Sequence, residues 1–170
     1  LTLREPERTL VTGRVREGMV VLSNGRKRSE QKDPATGLSA VRWLQDKPHV
    51  NYLIALCAGY FKKVEDTHRD IPMAFWTPAS QIAQAQNSFR DTKDIMAFFE
   101  KEIGVPYPWA KYDQVCVDDF IMGGMENTSL TILTDNTLFT DATENLREST
   151  GLVAHELAHL RFADVGDRAR

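Results

Sequence analysis

The first third of the chain consists of short apolar runs separated by turn-forming residues, a pattern typical of β structure. Runs rich in Val, Leu, Trp and Tyr occur at 11–15, 19–22, 38–44 and 51–58. Turn residues separate them at 23–25 and 33–37, where Asn, Asp, Gly and Pro supply the backbone angles that turns need. The pattern predicts a meander of strands over residues 1 to about 65.

The middle of the chain changes to a helical period. A charged stretch at 64–70 indicates a boundary, and a second unit opens with a strand predicted at 71–76. Thr77 and Pro78 resemble an N-cap and the first residue of a helix. Apolar residues then recur at helical spacing as far as Gly104, which predicts one long helix.

The last third predicts two more strands and a final helix. The strands are predicted at 114–120 and 129–133, on either side of a glycine-rich segment at 123–127. Because glycine has no side chain, this segment lets another backbone approach closely. Asp141 and Glu144 have the spacing of a capping box, and a helix with an apolar stripe follows them.

Composition narrows the class of protein. Of 170 residues, 42% are hydrophobic and 26% are charged, which is average for a globular chain. The net charge of −3 predicts no nucleic-acid partner, and no apolar run approaches the roughly 20 residues of a membrane span. Cys57 and Cys116 lie in apolar runs without CxxC spacing, so buried thiols are favoured over a disulfide or a metal site on sulfur.

The final helix carries the candidate chemistry, His155-Glu156-Leu157-Ala158-His159. At about 100° per residue, its two histidines and its glutamate fall on one face. Two imidazoles one turn apart can bind one zinc ion, and the glutamate between them can act as base toward a water on that ion. The competing interpretation is a charged helix surface with two solvated histidines. For His49 and His68, which lie in polar surroundings, a surface position is predicted.

A second motif stands about thirty residues earlier, Gly123-Gly124-Met125-Glu126-Asn127. With 155–159 it resembles the alanyl-aminopeptidase-type zinc metallopeptidases, gluzincins that pair a GxMEN segment with HExxH. The stretch 46–55 is similar to the last strands of that family's N-terminal β saddle, and 104–109 is similar to the loop before its substrate strand. The resemblance covers most of residues 15–162.

The resemblance implies an α+β fold in two parts. Residues 1–65 would be the end of the N-terminal β-saddle domain. Residues 66–170 would be the first half of a thermolysin-like catalytic domain. The chain is therefore expected to be a fragment truncated at both ends.

The resemblance also implies a role for each motif residue. Peptides with a free N-terminus would be the substrates, and single N-terminal residues would be removed with zinc-activated water. Glu156 would be the general base, and Glu126 would hold the α-amine. The other implied residues are the zinc ligands His155 and His159 and the remaining members of the substrate-binding segment, Gly123, Gly124, Met125 and Asn127.

The chain departs from the family after its second histidine. Residues 160–163 read Leu-Arg-Phe-Ala where the family usually shows Gln-Trp-Phe-Gly. The family's third zinc ligand, a glutamate, and its oxyanion-stabilising tyrosine are both expected beyond Arg170. We therefore expect the isolated chain to be inactive, to bind zinc weakly and to self-associate through an uncovered apolar face of the last helix.

Two alternatives stay open at this point. The chain could be a non-catalytic binding or scaffold module of the same fold, in which the histidines hold no working metal centre. It could also be a hydrolase that uses Asp164 or Asp167 as third ligand, although both lie too close to His159 to come from a separate element. Metal content separates the first alternative from an enzyme.

Overall fold

A computed structural model describes residues 8–143 and 148–165 of the chain. These residues form the predicted α+β class. The strands are β1 (Thr9–Val15), β2 (Val20–Ser23), β3 (Arg26–Lys32), β4 (Ser39–Gln45), β5 (Leu56–Gly59), β6 (Phe61–His68), β7 (Ile71–Pro78), β8 (Tyr112–Val117), β9 (Gly124–Met125) and β10 (Leu130–Thr134). The helices are α1 (Ile82–Ser88), α2 (Thr92–Ile103) and α3 (Thr150–Val165). Among the described helices, none combines the length and apolarity of a membrane span.

The strands before residue 60 form two small antiparallel sheets within the described chain. In one, β4 lies between β1 and β3, and in the other β2 pairs with β5. Their core surrounds Trp43, whose indole Nε1 donates a 2.9 Å hydrogen bond to the Val21 carbonyl. Val115 and Leu130, from strands further along the chain, join the same core. The N-terminal strands therefore pack directly on the next sheet.

That next sheet, the large sheet, has the strand order β6-β7-β8-β10-β9. Its inner strands β7, β8 and β10 run parallel, while β6 and β9 pair antiparallel at the edges. Helix residues such as Phe89, Met96 and Leu157 share a core with one face of the sheet, and the N-terminal strands share a core with the other. Because both faces are covered, β8 is buried at nearly every position instead of alternating.

The prediction of one long helix is wrong. α1 ends at Ser88, whose carbonyl accepts a hydrogen bond from the Ser149 hydroxyl. The Thr92 N–H donates instead to the carbonyl of buried Phe89 at 3.1 Å, so the hydrogen-bond ladder does not continue into α2. α2 then ends as predicted at Gly104, which takes a left-handed conformation with φ of 73°.

Smaller differences arise where local pattern and tertiary packing disagree. The run at 51–58 divides into a 3₁₀ turn (Asn51–Leu53) and β5, and the predicted strand at 114–120 ends at Val117. The charged stretch 64–70 forms the end of β6 and its turn into β7, where Glu65 is exposed and half-buried Asp66 lies 3.0 Å from Lys93 Nζ of α2. Asp141 begins a 3₁₀ turn, and its capping partner Glu144 lies outside the described residues.

The histidines and cysteines outside α3 are structural. His49 is 4% exposed and its Nε2 lies 3.0 Å from Thr9 Oγ1, so the predicted surface position is wrong. His68 is partly buried with its Nε2 2.9 Å from a Glu100 carboxylate oxygen. Cys57 and Cys116 are buried free thiols, as predicted, and burial raises the pKa of Cys57 to about 11.

Candidate metal and substrate site

α3 presents its histidines to solvent and its apolar side chains to the core. Val153, Leu157 and Leu160 are buried, while His155 and His159 are exposed. The uncovered apolar face expected for this helix is therefore not found at these positions, because α2 and the large sheet cover it. The helical period thus separates a packing face from a face free for chemistry.

The imidazoles of His155 and His159 are arranged as a pair of metal ligands would be. Their Nε2 atoms lie 3.2 Å apart, and the rings meet edge to face with centroids 4.6 Å apart. Zinc–nitrogen bonds of 2.0–2.1 Å in a tetrahedral arrangement place two nitrogens about 3.3 Å apart. The pair therefore fits one edge of a zinc coordination shell. Among the side chains that the structure describes, which end at Leu160, no group of three or more His, Cys, Asp or Glu could hold a metal.

Glu156 points away from solvent and toward the glycine-rich segment. It is 4% exposed, although it lies between two exposed histidines. A Cβ atom added to Gly124 would stand 2.7 Å from the Glu156 Cδ and 2.9 Å from its Cγ, closer than van der Waals contact permits. The missing side chain of Gly124 is therefore what makes room for the Glu156 carboxylate. The two sequence motifs meet at this contact.

β9 holds this glycine at an edge of the large sheet. Gly124 pairs with Leu133 and Met125 with Ile132, and the Thr134 N–H donates to the Gly123 carbonyl at 2.8 Å. Gly123 has φ of 75°, a left-handed conformation that favours glycine. Within the described strands, β9 pairs with β10 alone, so its other side faces the space beside α3.

The electrostatics of the site centre on Glu156. Burial raises the pKa of its carboxyl, nearby His155 opposes this, and the carboxylate of Glu126 raises the pKa further. The carboxylates of Glu126 and Glu156, from different elements, thus lie near each other and near the imidazoles of α3. A buried carboxyl with a raised pKa, set among converging titratable side chains, is typical of a catalytic site.

Comparisons with known proteins agree with the geometry. The model of the "Peptidase family M1 domain" matches residues 87–165, a range that contains both motifs. Over residues 87–165 the chain is similar to peptidase family M1. Similar proteins include Aminopeptidase Ey of Gallus gallus, 32% identical over 67% of this chain and 12% of its own length. Aminopeptidase M1-A of Oryza sativa is 30% identical over 79% of this chain and 16% of its own.

A bacterial relative matches a similar share of this chain. Aminopeptidase N of Acetobacter pasteurianus is 33% identical over 67% of this chain and 34% of its own length. The chain thus spans between about an eighth and a third of the length of these relatives.

The structure also shows residues near the site that the sequence analysis did not single out for function. Asn24 and Ser129 join the N-terminal strands to the segment that follows Glu126. Asn24 was recognised only as part of a turn. An Asn-Gly pair is a common turn signal, and nothing local distinguishes a turn that also contacts a residue about a hundred positions away.

The contact between Gly124 and Glu156 predicts that a substitution of Gly124 lowers activity much more than stability. We expect Gly124→Ala in the full-length protein to lower kcat by roughly 10²-fold, since a displacement of about 1 Å in a reacting group can cost that much. The new methyl group displaces the flexible end of Glu156, so the melting temperature should change little. Steady-state kinetics and thermal unfolding measure the two effects.

Gly151→Ala is the matched control for this substitution. Gly151 lies in α3 with nothing within 4 Å of its added Cβ. Alanine there should leave activity unchanged and stabilise the helix slightly. Normal turnover in Gly124→Ala would contradict the interpretation of the close contact.

Proposed function

We propose that the protein carrying this chain is a zinc-dependent aminopeptidase that removes single residues from the N-termini of peptides. The observation that carries the proposal is the contact of buried Glu156 with Gly124, which brings a HExxH helix and a GxMEN strand into one site. We also propose the division into the end of a β-saddle domain at 1–65 and part of a thermolysin-like domain at 66–170. The names of the M1 relatives support the activity.

The chain's own residues divide the work of binding and proton transfer. The free edge of β9 would pair with an extended peptide, where Gly123 and Gly124 allow close backbone approach. His155 and His159 would hold zinc, and a third ligand is expected beyond Arg170. When bound, zinc acts as a Lewis acid toward the peptide carbonyl and water.

Glu156 would move the proton. A carboxylate beside the attacking water can accept its proton and deliver it to the nitrogen of the leaving amine. Burial against Gly124 would restrict the Glu156 carboxylate during both transfers. The base would then lie on the same side of the site as the edge of β9.

Glu126 would set the exopeptidase specificity. It is half-buried and directly follows β9, and its negative charge raises the pKa of Glu156. A carboxylate here would pair with the α-ammonium of a substrate, because a charged group left unpaired in a closed site is costly. Cleavage would then occur one residue from that anchor.

Glu126→Ala tests this assignment. In the full-length protein, we expect kcat/KM for peptides with a free α-amine to fall by roughly 10²-fold or more, the scale of a lost buried charge pair. The slower hydrolysis of N-acetylated peptides should not change. Kinetics on matched free and acetylated peptides measure both.

Glu102→Ala serves as control, because Glu102 is an exposed carboxylate on α2 away from the motifs. It should leave both substrates unaffected. An equal loss on free and acetylated peptides in Glu126→Ala would remove Glu126 as the amine anchor.

A further inference from the structure

The turn between β2 and β3 reaches across the molecule to the segment that follows Glu126. Asn24 Nδ2 donates to the Thr128 carbonyl at 2.6 Å, and the Gly25 N–H donates to Ser129 Oγ at 2.8 Å. The same Asn24 side chain binds the N-terminal strands, donating to the Leu53 carbonyl and accepting from the Ala55 N–H at 2.8 Å. Asn24 thus uses its amide to join two parts of the fold.

This junction is buried and tightly specified. Asn24 is 1% exposed, and Thr128 and Ser129 are fully buried. Ser129 has φ of 63°, a conformation that L residues rarely adopt, and hydrogen bonds to its hydroxyl and to its carbonyl hold it there. Its carbonyl accepts from the Asp113 N–H at 3.0 Å and from Lys111 Nζ at 2.9 Å. Water cannot replace these bonds inside the fold.

The position of Glu126 depends on this junction. β9 is only two residues long, so its pairing with β10 ends at Met125. The next anchored groups along the chain are the Asn127 carbonyl, which accepts from the Leu130 N–H at 3.0 Å, and the two groups bound by Asn24 and Gly25. Glu126 therefore lies between a short edge strand and a junction supplied by the N-terminal part of the chain.

We infer that Asn24, together with the Gly25 N–H, positions Glu126 for binding the α-amine of the substrate. The inference rests on the proposed aminopeptidase function. Asn24 is a positioning residue, because it acts through Thr128 and touches no substrate. By this arrangement, the N-terminal strands contribute to specificity at a site built from β9 and α3.

A simpler interpretation is that Asn24 merely holds the two parts of the fold together. Ser23 provides the matched control that separates the two. It is the last residue of β2, next to Asn24, is fully buried, and donates from its Oγ to the Ala55 carbonyl at 2.7 Å. Ser23→Ala removes a buried hydrogen bond beside this turn without touching residues 127–129.

The test uses competitive inhibition of the full-length zinc-loaded protein by two hydroxamates that differ in the α-amine. Alanine hydroxamate carries the amine and propionohydroxamate lacks it. The ratio of their inhibition constants reports how well the amine is held and is insensitive to how much of the protein is folded. We take the ratio as the inhibition constant of propionohydroxamate divided by that of alanine hydroxamate. In Asn24→Ala we expect this ratio to fall by about tenfold or more, with a raised KM and little change in kcat for free-amine peptides. Ser23→Ala should keep the wild-type ratio.

A second variant covers the case in which Asn24→Ala does not fold. Ser129→Gly removes the hydroxyl that accepts the Gly25 N–H, while glycine adopts the left-handed conformation without strain. It should lower the same ratio. Glu126→Ala is measured alongside as the reference for complete loss of amine recognition.

The outcomes separate this inference from the proposed function. If Glu126→Ala brings the ratio close to one while Asn24→Ala and Ser129→Gly keep the wild-type ratio, the positioning role is overturned and the aminopeptidase assignment stands. If the wild-type protein shows no preference for alanine hydroxamate, the amine-anchor assignment and this inference both fall. A ratio lowered equally by Ser23→Ala would reduce Asn24 to a structural role.

Discussion

Removal of the metal should abolish peptide hydrolysis by the full-length protein. The exposed imidazoles of His155 and His159 are spaced to share one ion, and zinc held there would supply the Lewis acid for hydrolysis. Exhaustive chelation should therefore eliminate turnover, and addition of zinc should restore it. Aminopeptidase assays and elemental analysis of the same samples measure this. Full activity with no metal retained would exclude the proposed function.

Two further samples show that the effect belongs to this site. His155→Ala should lose zinc and activity together, whereas His49→Gln should lower stability without changing metal content, because His49 is buried against Thr9.

The 170-residue chain alone should bind zinc weakly and show no activity, since two imidazoles fall short of the three protein ligands of a catalytic site. Calorimetric titration with zinc decides this, and a one-to-one nanomolar site would contradict it. Self-association of the isolated chain stays a prediction, and a zinc-free, inactive full-length protein would favour the non-catalytic module.

Glu156→Gln should lower kcat by about 10²-fold to 10⁴-fold, the usual contribution of general acid–base catalysis, while zinc stays bound. Glutamine keeps the shape that fits against Gly124 but cannot accept the proton of water. KM should change little, because the substituted side chain is not the amine anchor. Steady-state kinetics with metal analysis test this.

Glu102→Gln makes the same chemical change at an exposed position of α2 and should leave kcat unaffected. Near wild-type turnover in Glu156→Gln would remove Glu156 as the base. A loss of zinc in that variant would instead show that its carboxylate helps to hold the histidines.

The features that were predictable from the sequence are those with a local physical cause. The spacing of four between His155 and His159 makes them neighbours on any α-helix, and the structure places their Nε2 atoms 3.2 Å apart. Gly104 ends α2 because glycine tolerates the left-handed conformation found there. The strands followed in the same way from short-range period and turn chemistry, whereas the α+β class was implied by the family resemblance.

Tertiary structure decided the features that depend on contacts between distant residues. The break between α1 and α2 follows from Ser149 binding the Ser88 carbonyl, and the burial of His49 follows from its contact with Thr9. Neither partner is adjacent in sequence, so no local period could predict these contacts.

The same distinction runs through the site itself. The sequence by itself predicted which residues would carry the chemistry, because motif spacing on one helix and one strand is a local property. Only the fold decided that Glu156 is buried against Gly124 and that Asn24 holds the segment after Glu126. These contacts join elements 32 and 104 residues apart, and they form only when the helix, the sheet edge and the N-terminal turn pack together.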